Sequence, residues 1–163
     1  AIALMCERGT YLVATYTAPW QIAHRGVEAG IPPYMVEKAW QVLESHERSI
    51  RAAIAAGVRI AMGTDQGTPM NHPGENAQET IRLASLGLSP AAALLASTAW
   101  AADLLRLDAE TGRIRAGLAA ALLILDADPL AELGILANQS SIRAVIQAGS
   151  PVRSSLPEIE GNI

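Results

Sequence analysis

An aspartate set between glycines is the residue with the clearest capacity for chemistry. Asp65 lies in the segment GTDQG (63–67) and follows an apolar, β-branched run. The pattern predicts a strand over 58–65 with Asp65 at its end. Removing a carboxylate from water is costly unless it meets a cation or hydrogen-bond donors. Asp65 is therefore a candidate catalytic or metal-binding residue, and the local pattern fits a turn or helix-cap aspartate equally well.

Four further residues are predicted to lie near Asp65. Thr64 and Gln66 flank it and could orient its carboxylate. Tyr16 ends a predicted strand over 10–17, and a phenol can donate a hydrogen bond to a substrate carbonyl or carboxylate; the alternative is a packing aromatic. His72 lies in the loop after Asp65, where we expect it to line a pocket. Tyr16 and His72 are thus candidate substrate-binding residues.

The other histidines are weaker candidates. His24 is predicted in an exposed loop over 18–33, rich in proline and glycine. His46 lies in the middle of a predicted helix, on its apolar side, as a structural histidine would. One cysteine, Cys6, excludes an intramolecular disulfide framework and any cysteine-rich zinc module.

Strands and helices alternate along the first two thirds of the chain, which is typical of a parallel sheet or barrel. In such an architecture ligands bind beyond the carboxyl ends of the strands, where Tyr16 and Asp65 are placed. Asn76 with Glu79 predicts a capping box, and Ser89 with Pro90 predicts a second helix start. The predicted helices after the first loop are 33–56, 77–86 and 90–105.

The last third has a different character. Short strands are predicted at 112–114, 120–125 and 142–146, separated by Gly and Asp-Pro turns. No helix of comparable length is predicted among them. We therefore divide the chain into residues 1–107, with strand–helix alternation, and residues 108–163, with strands of a different sheet.

Composition excludes several classes of protein. The net charge is −4 and the 12 basic residues are scattered, which argues against nucleic-acid binding. The most apolar run, at 117–125, is about half of the ~20 residues that cross a bilayer, so we expect no membrane partner. The first ten residues lack the pattern of a secretory signal. We favour a cytoplasmic location, with export open if a signal peptide lies upstream.

Several stretches, in this order, resemble the C-terminal part of the metal-dependent amidohydrolase superfamily, in particular its imidazolonepropionase-like and Xaa-Pro dipeptidase-like enzymes. The stretches are GVRIAMGTDQGTP, HPGENAQE, LGLSPAAALLASTAWAADLLRL, TGRIRAGLAAALLILDADPL and IRAVIQAG. The opening AIALMCERGTYLVATYTAP resembles the segment after that family's penultimate metal-binding histidine. The resemblance covers nearly the whole chain.

The resemblance implies the C-terminal part of a (β/α)8 TIM-type barrel, followed by short strands of a small β-sandwich domain. Asp65 would match the aspartate at the end of the eighth strand, which in the family binds metal and shuttles a proton. The implied activity is hydrolysis of a C–N bond in a small amide or dipeptide. The implied cofactor is a divalent metal, zinc being the expected ion, with one or two ions per site.

The departures from the family indicate a partial chain. No His-x-His pair is present, and the only lysine, Lys38, lies on the polar side of a helix. Most metal ligands would come from sequence absent here, so we expect the chain alone to be inactive, and to be oligomeric or to need the missing part of the barrel. The alternatives are a truncated, non-catalytic fragment that folds only with a partner or as an oligomer, and an unrelated α/β binding module.

Overall fold

A computed structural model describes residues 1–156 as an α/β protein with two small sheets, in agreement with the predicted class. In chain order, the elements are α1 (Ile2–Arg8), β1 (Tyr11–Val13), α2 (Thr17–Arg25), α3 (Pro33–Ala55), β2 (Arg59–Ala61), α4 (Ala77–Ser85), α5 (Pro90–Ser97), α6 (Ala99–Leu105), β3 (Leu122–Leu125), β4 (Ile142–Gln147) and β5 (Ser150–Ser154). Two short 3-10 helices, Leu133–Ala137 and Gln139–Ser141, precede β4.

β1 and β2 form a parallel pair, with Tyr11 opposite Arg59 and Val13 opposite Ala61. Parallel strands need a crossover connection, which α3 supplies. Pro33 begins α3, where a missing N–H costs no hydrogen bond, and Gly57 follows its end with a left-handed φ of 79°. The predicted helix over 33–56 is confirmed.

The hydrophobic core lies between one face of this sheet and the helices. Ile50 of α3, Ile60 of β2 and Leu83 of α4 are at most 1% exposed and belong to one cluster. On the other face Val13 is 42% exposed, and the Arg59 guanidinium lies over the Tyr11 ring. Only one face of this strand pair is therefore buried within the described residues.

Both parallel strands are shorter than the predicted 10–17 and 58–65. Each pairs over three residues, because a ladder extends only as far as both partners stay extended. Thr15 takes a left-handed φ of 47°, which turns the chain out of the ladder before Tyr16. Helix α2 then begins at Thr17.

Helix α2 corrects the predicted loop over 18–33. Pro19 lies in its first turn, where backbone N–H groups have no partner within the helix, so the proline is tolerated. Gly26 follows its last residue, and the true connection to α3 is only residues 26–32. The prolines and glycines of this stretch mark the ends of helices and not a continuous loop.

The helix predicted over 90–105 is split at Thr98, whose φ of −130° and ψ of −91° are not helical. The hydroxyls of Ser97 and Thr98 donate to the carbonyl oxygens of Ala93 and Leu94. Such bonds from Ser or Thr to the preceding turn bend helices. The start of α5 is as predicted, since the Ser89 hydroxyl accepts from the Ala92 N–H at 3.2 Å.

The tail contains an antiparallel sheet in the order β3–β4–β5. The strands predicted at 120–125 and 142–146 are present, whereas β5 was not predicted. The strand predicted at 112–114 is wrong: Arg113 makes two bonds of 2.8 and 2.9 Å to the Asp103 carboxylate, which ties this segment to α6. The 3-10 helix 133–137 packs against α4.

No helix within residues 1–156 is long and apolar enough to span a bilayer. The end of the predicted second region, residues 157–163, lies outside the described residues.

Candidate active site

Asp65 lies in the loop after β2, four residues beyond the strand end, and its side chain is exposed. Its φ of 52° is left-handed, which a non-glycine residue adopts infrequently. Within residues 1–156 its carboxylate has no hydrogen-bond partner, whereas its main-chain oxygen accepts from the Thr68 hydroxyl at 3.0 Å. The loop therefore restrains the backbone of Asp65 and leaves the carboxylate open to a ligand.

Asn71 anchors this loop, a role that the sequence reasoning missed. Its side chain is 1% exposed, and its amide donates to the carbonyl oxygens of Thr64 and Asp65 at 2.6 and 3.1 Å. The Gly67 N–H donates to the Asn71 carbonyl in return. An asparagine in a loop rich in Gly and Pro is a signal for such side-chain-to-backbone bonding.

The residues predicted to flank Asp65 make hydrogen bonds within the loop and not to the Asp65 carboxylate. The Gln66 amide donates to the main-chain oxygen of His72 at 3.1 Å, and Thr64 contributes its carbonyl oxygen to Asn71. The His72 side chain is exposed. The substrate-binding role of His72 and the orienting roles of Thr64 and Gln66 stay predictions.

The Tyr16 side chain is buried and makes its hydrogen bond within the chain, whereas the sequence suggested it as a candidate substrate-binding residue. It is 5% exposed, and its hydroxyl donates to the Glu47 carboxylate of α3 at 3.0 Å. Burial, followed by the bond to Glu47 and the charge of Glu47, raises the pKa of Tyr16 to about 12. Bonds donated by Arg51 and then by Tyr16 lower the pKa of Glu47. Tyr16 thus joins the strand layer to α3, and its proposed contact with substrate stays untested.

Glu79 is a functional candidate that the sequence reasoning misassigned. Asn76 makes no side-chain cap, so the predicted capping box is absent. The buried Glu79 carboxylate instead accepts from the Tyr16 N–H at 2.9 Å and from the N–H and hydroxyl of Thr17 at 2.7 and 2.6 Å. It satisfies free donors at the start of α2. Glu79 therefore links the turn after β1 to the helix that follows the Asp65 loop.

His24 lies in the last turn of α2 and not in a loop. Its ring stacks on Trp20 with centroids 4.0 Å apart, and Nδ1 is 3.0 Å from the Trp20 carbonyl oxygen. His46, predicted as structural, has its ring 5.8 Å from that of Tyr16. None of these contacts of His24 and His46 involves a residue of the Asp65 loop.

The described residues do not make a complete metal site. Residues 1–156 contain no group of three or more His, Cys, Asp or Glu side chains that could hold an ion. A catalytic zinc site needs about three protein ligands. Asp65 fits a metal as a single ligand because its carboxylate is exposed and unpaired, but the chain's own residues do not complete the set.

A parallel strand pair, joined by a helix and followed by a carboxylate-bearing loop, defines an α/β protein with a candidate ligand site beyond the end of β2. Over residues 1–152 the sequence matches the amidohydrolase family. The chain belongs to this family, which confirms the resemblance noted from its motifs.

Named relatives come from the same family. The sequence is 38% identical over 101 residues to an imidazolonepropionase from Rubrobacter xylanophilus, which covers 61% of this chain and 24% of the relative. A Xaa-Pro dipeptidase with bound methionine in its active site has 30% identity and a TM-score of 0.80, over 92% of this chain and 36% of that one. A prolidase complexed with N-methylphosphonate-L-proline has 29% identity and a TM-score of 0.80, over 94% and 37%.

The chain spans about a quarter of the imidazolonepropionase and about a third of the two peptidases. It therefore corresponds to one part of each relative's fold.

Proposed function

We propose that this chain is the C-terminal portion of a metal-dependent hydrolase that cleaves a C–N bond of a small amide or dipeptide. The observation that carries the proposal is Asp65: an open carboxylate beyond the end of β2, in a chain that matches the amidohydrolase family almost throughout. The names of the relatives support the substrate class, since one is a dipeptidase for Xaa-Pro and another a prolidase.

In this proposal β1 and β2 are the last two strands of a (β/α)8 barrel within residues 1–107, and residues 108–163 belong to a small β-sandwich domain. The open face of the β1–β2 pair supports this reading, because Val13 is half-exposed where barrel strands would face an interior. Each strand also keeps one unpaired edge, which further strands would cover.

Asp65 is one metal ligand in this proposal, and sequence outside the chain supplies the others. A bound divalent metal such as zinc would lower the pKa of water toward ~7 and so supply a nucleophile at neutral pH. The Asp65 carboxylate would accept the proton that the attacking water loses and deliver it to the leaving nitrogen. The loop bonds of Asn71 and Gln66 would keep the backbone of Asp65 in place during this transfer.

The alternative is a non-catalytic fragment that folds only with a partner or as an oligomer. The two-stranded sheet favours this alternative for the 163 residues taken alone, because a pair of strands is only marginally stable without further strands or packing. Light scattering with size-exclusion chromatography tests this point. A compact monomer that unfolds cooperatively would contradict the need for a partner.

Substitution of Asp65 by Asn in the intact enzyme tests the proposed chemistry. We expect turnover to fall by ~10²–10⁴-fold, the usual contribution of a positioned acid or base, because the amide cannot carry the proton. Turnover of Xaa-Pro dipeptides and bound metal should be measured together. Asp108→Asn is the matched control, since this exposed aspartate lies in a turn after α6, and it should keep full turnover. Normal turnover and metal content in Asp65→Asn would refute the assignment.

A further inference from the structure

Thr15 is a polar residue just after β1 whose side chain faces away from the core. Its neighbours Ala14 and Tyr16 are 3% and 5% exposed and belong to the core cluster, whereas Thr15 is partly exposed. Within residues 1–156 the Thr15 hydroxyl has no hydrogen-bond partner, and it is not among the unpaired side-chain atoms that are shut off from solvent. This hydroxyl can therefore contact a ligand.

The Thr15 side chain lies on the open face of the β1–β2 pair. A Cβ added to Gly63 would overlap the Val13 side chain and would lie 3.8 Å from the Thr15 methyl carbon. Since Val13 is on the open face, Thr15 shares that face with it. Asp65 follows Gly63 by two residues, so Thr15 and Asp65 come directly after two neighbouring parallel strands.

The backbone of Thr15 is held in a conformation that threonine rarely adopts. Its φ of 47° is left-handed, which costs free energy for a β-branched residue. The next two residues hold it there, because the N–H of Tyr16 and the N–H and hydroxyl of Thr17 all donate to the buried Glu79 carboxylate. Strained residues persist only where their surroundings fix them, and they are concentrated at functional sites.

We propose that the Thr15 hydroxyl donates a hydrogen bond to the carboxylate of the leaving residue, and so selects dipeptides over amides that lack this carboxylate. The inference rests on the proposed function, in which Asp65 delivers a proton to the leaving nitrogen. In a dipeptide a single carbon separates this nitrogen from the carboxylate, so groups that follow two neighbouring strands can contact both. A hydroxyl is a suitable donor to a carboxylate, and such charge-assisted bonds are strong. Glu79 is then a positioning residue, because it fixes the backbone that carries the hydroxyl.

Two substrates separate recognition of the carboxylate from hydrolysis itself. Alanyl-proline and alanyl-pyrrolidine contain the same kind of amide bond, and the second lacks the carboxylate. In the intact enzyme that contains this chain, Thr15→Val should raise the KM for alanyl-proline about tenfold and leave kcat close to that of the parent, because it removes one hydrogen bond to a charged group of the bound substrate. The kcat/KM for alanyl-pyrrolidine should change by less than about twofold, because that substrate has no carboxylate to bind.

Further variants assign the effect to the hydroxyl. Thr15→Ser keeps the hydroxyl and should retain most of the preference for alanyl-proline. Thr15→Ala removes the hydroxyl without placing a β-branched side chain at a left-handed φ, so it should repeat the effect of Thr15→Val even if that variant folds poorly. Thr10→Val is the matched control, since this exposed threonine precedes β1 at its opposite end, and it should keep the kinetics of the parent. Unfolding curves show whether each variant is folded.

An unchanged KM for alanyl-proline in folded Thr15→Val and Thr15→Ala would overturn the proposal, as would an equal loss for both substrates. Either result leaves the proposed chemistry in place if Asp65→Asn still lowers turnover. Conversely, normal turnover by Asp65→Asn would refute the role of Asp65, whereas a loss in Thr15→Val confined to alanyl-proline would still assign the carboxylate contact. A parent enzyme that hydrolyses neither substrate would refute both.

Discussion

Residues 1–107 and residues 108–156 bury their apolar side chains to very different extents. In the first region α3, β2 and α4 meet in one cluster whose central side chains are fully buried. In the second, the buried hydrophobic residues are Leu133, Ile135 and Ala144, and every residue of β5 is exposed. The first region therefore has a core of its own on one face of its sheet, whereas the second has a sheet with few buried apolar side chains.

The difference shows that strands of this chain can pair in a regular sheet without burying their apolar side chains in a core. The apolar residues of β3 are sufficient for strand pairing, yet Leu123 and Ile124 remain 51% and 38% exposed. The tail is held to the rest of the chain mainly where 133–137 packs on α4. Unfolding of variants of the intact protein would show whether this contrast persists there.

The largest effect is expected from truncation of one leucine in each region. Leu83→Ala should lower the free energy of unfolding by about 2–5 kcal/mol, because it removes a fully buried side chain and leaves a cavity. Leu123→Ala, the same change in β3, should cost less than about 1 kcal/mol since half of the side chain is already in water. Urea unfolding of both variants checks this pair. Equal losses would mean that sequence outside this chain covers the tail sheet.

A smaller effect is expected from neutralising one acid in each region. Glu79→Gln should cost about 2 kcal/mol, because the amide N–H₂ would face buried donors of Tyr16 and Thr17. Asp126→Asn, which loses a half-exposed ion pair of 3.4 Å with Arg143, should cost less than about 1 kcal/mol. Thermal unfolding and hydrogen exchange at the Thr17 amide report both changes. A harmless Glu79→Gln would show that the start of α2 does not depend on this carboxylate.

The smallest effect concerns pH. Because the pKa of Tyr16 is raised from 10.0 to about 12, the neutral phenol is favoured in the folded state. The stabilisation that the neutral Tyr16 phenol gives to the folded state is fully present below pH 10 and is lost as the pH rises from 10 to 12. Tyr16→Phe should abolish this decline in stability between pH 10 and 12, as measured by urea unfolding at a series of pH values. Tyr34→Phe, at a 70% exposed residue, should leave the pH dependence as it is; a reduced slope there would assign the effect elsewhere.

The helices were predictable where local signals agree. α3 follows from its apolar spacing with Pro33 at the start and Gly57 after the end, and Ser89 with Pro90 marks the start of α5. α2 was missed because Pro19, Gly26 and Pro32 together suggest a loop, although each is compatible with a helix end. Local composition does not distinguish these two cases.

Asp65 could be picked out from the sequence, whereas the long-range hydrogen bonds of the residues around the strand ends could not. A strand followed by GTDQG is a local pattern, so Asp65 could be found from the sequence. The bond from Tyr16 to Glu47 spans 31 residues, and the bonds to Glu79 span more than 60. No local pattern indicates such pairs, and the capping box suggested by Asn76 and Glu79 pointed to the wrong partner.

The sequence by itself determined the α/β class, the helix α3, the starts of α5 and β4, and the place of Asp65 after a strand, because each depends on neighbours within a few residues. Tertiary structure alone decided where the parallel strands end, where the helix breaks at Thr98, and which donors Glu79 receives. These features depend on groups brought together by folding: a ladder needs two extended partners, and a buried carboxylate stays buried only where free donors meet it.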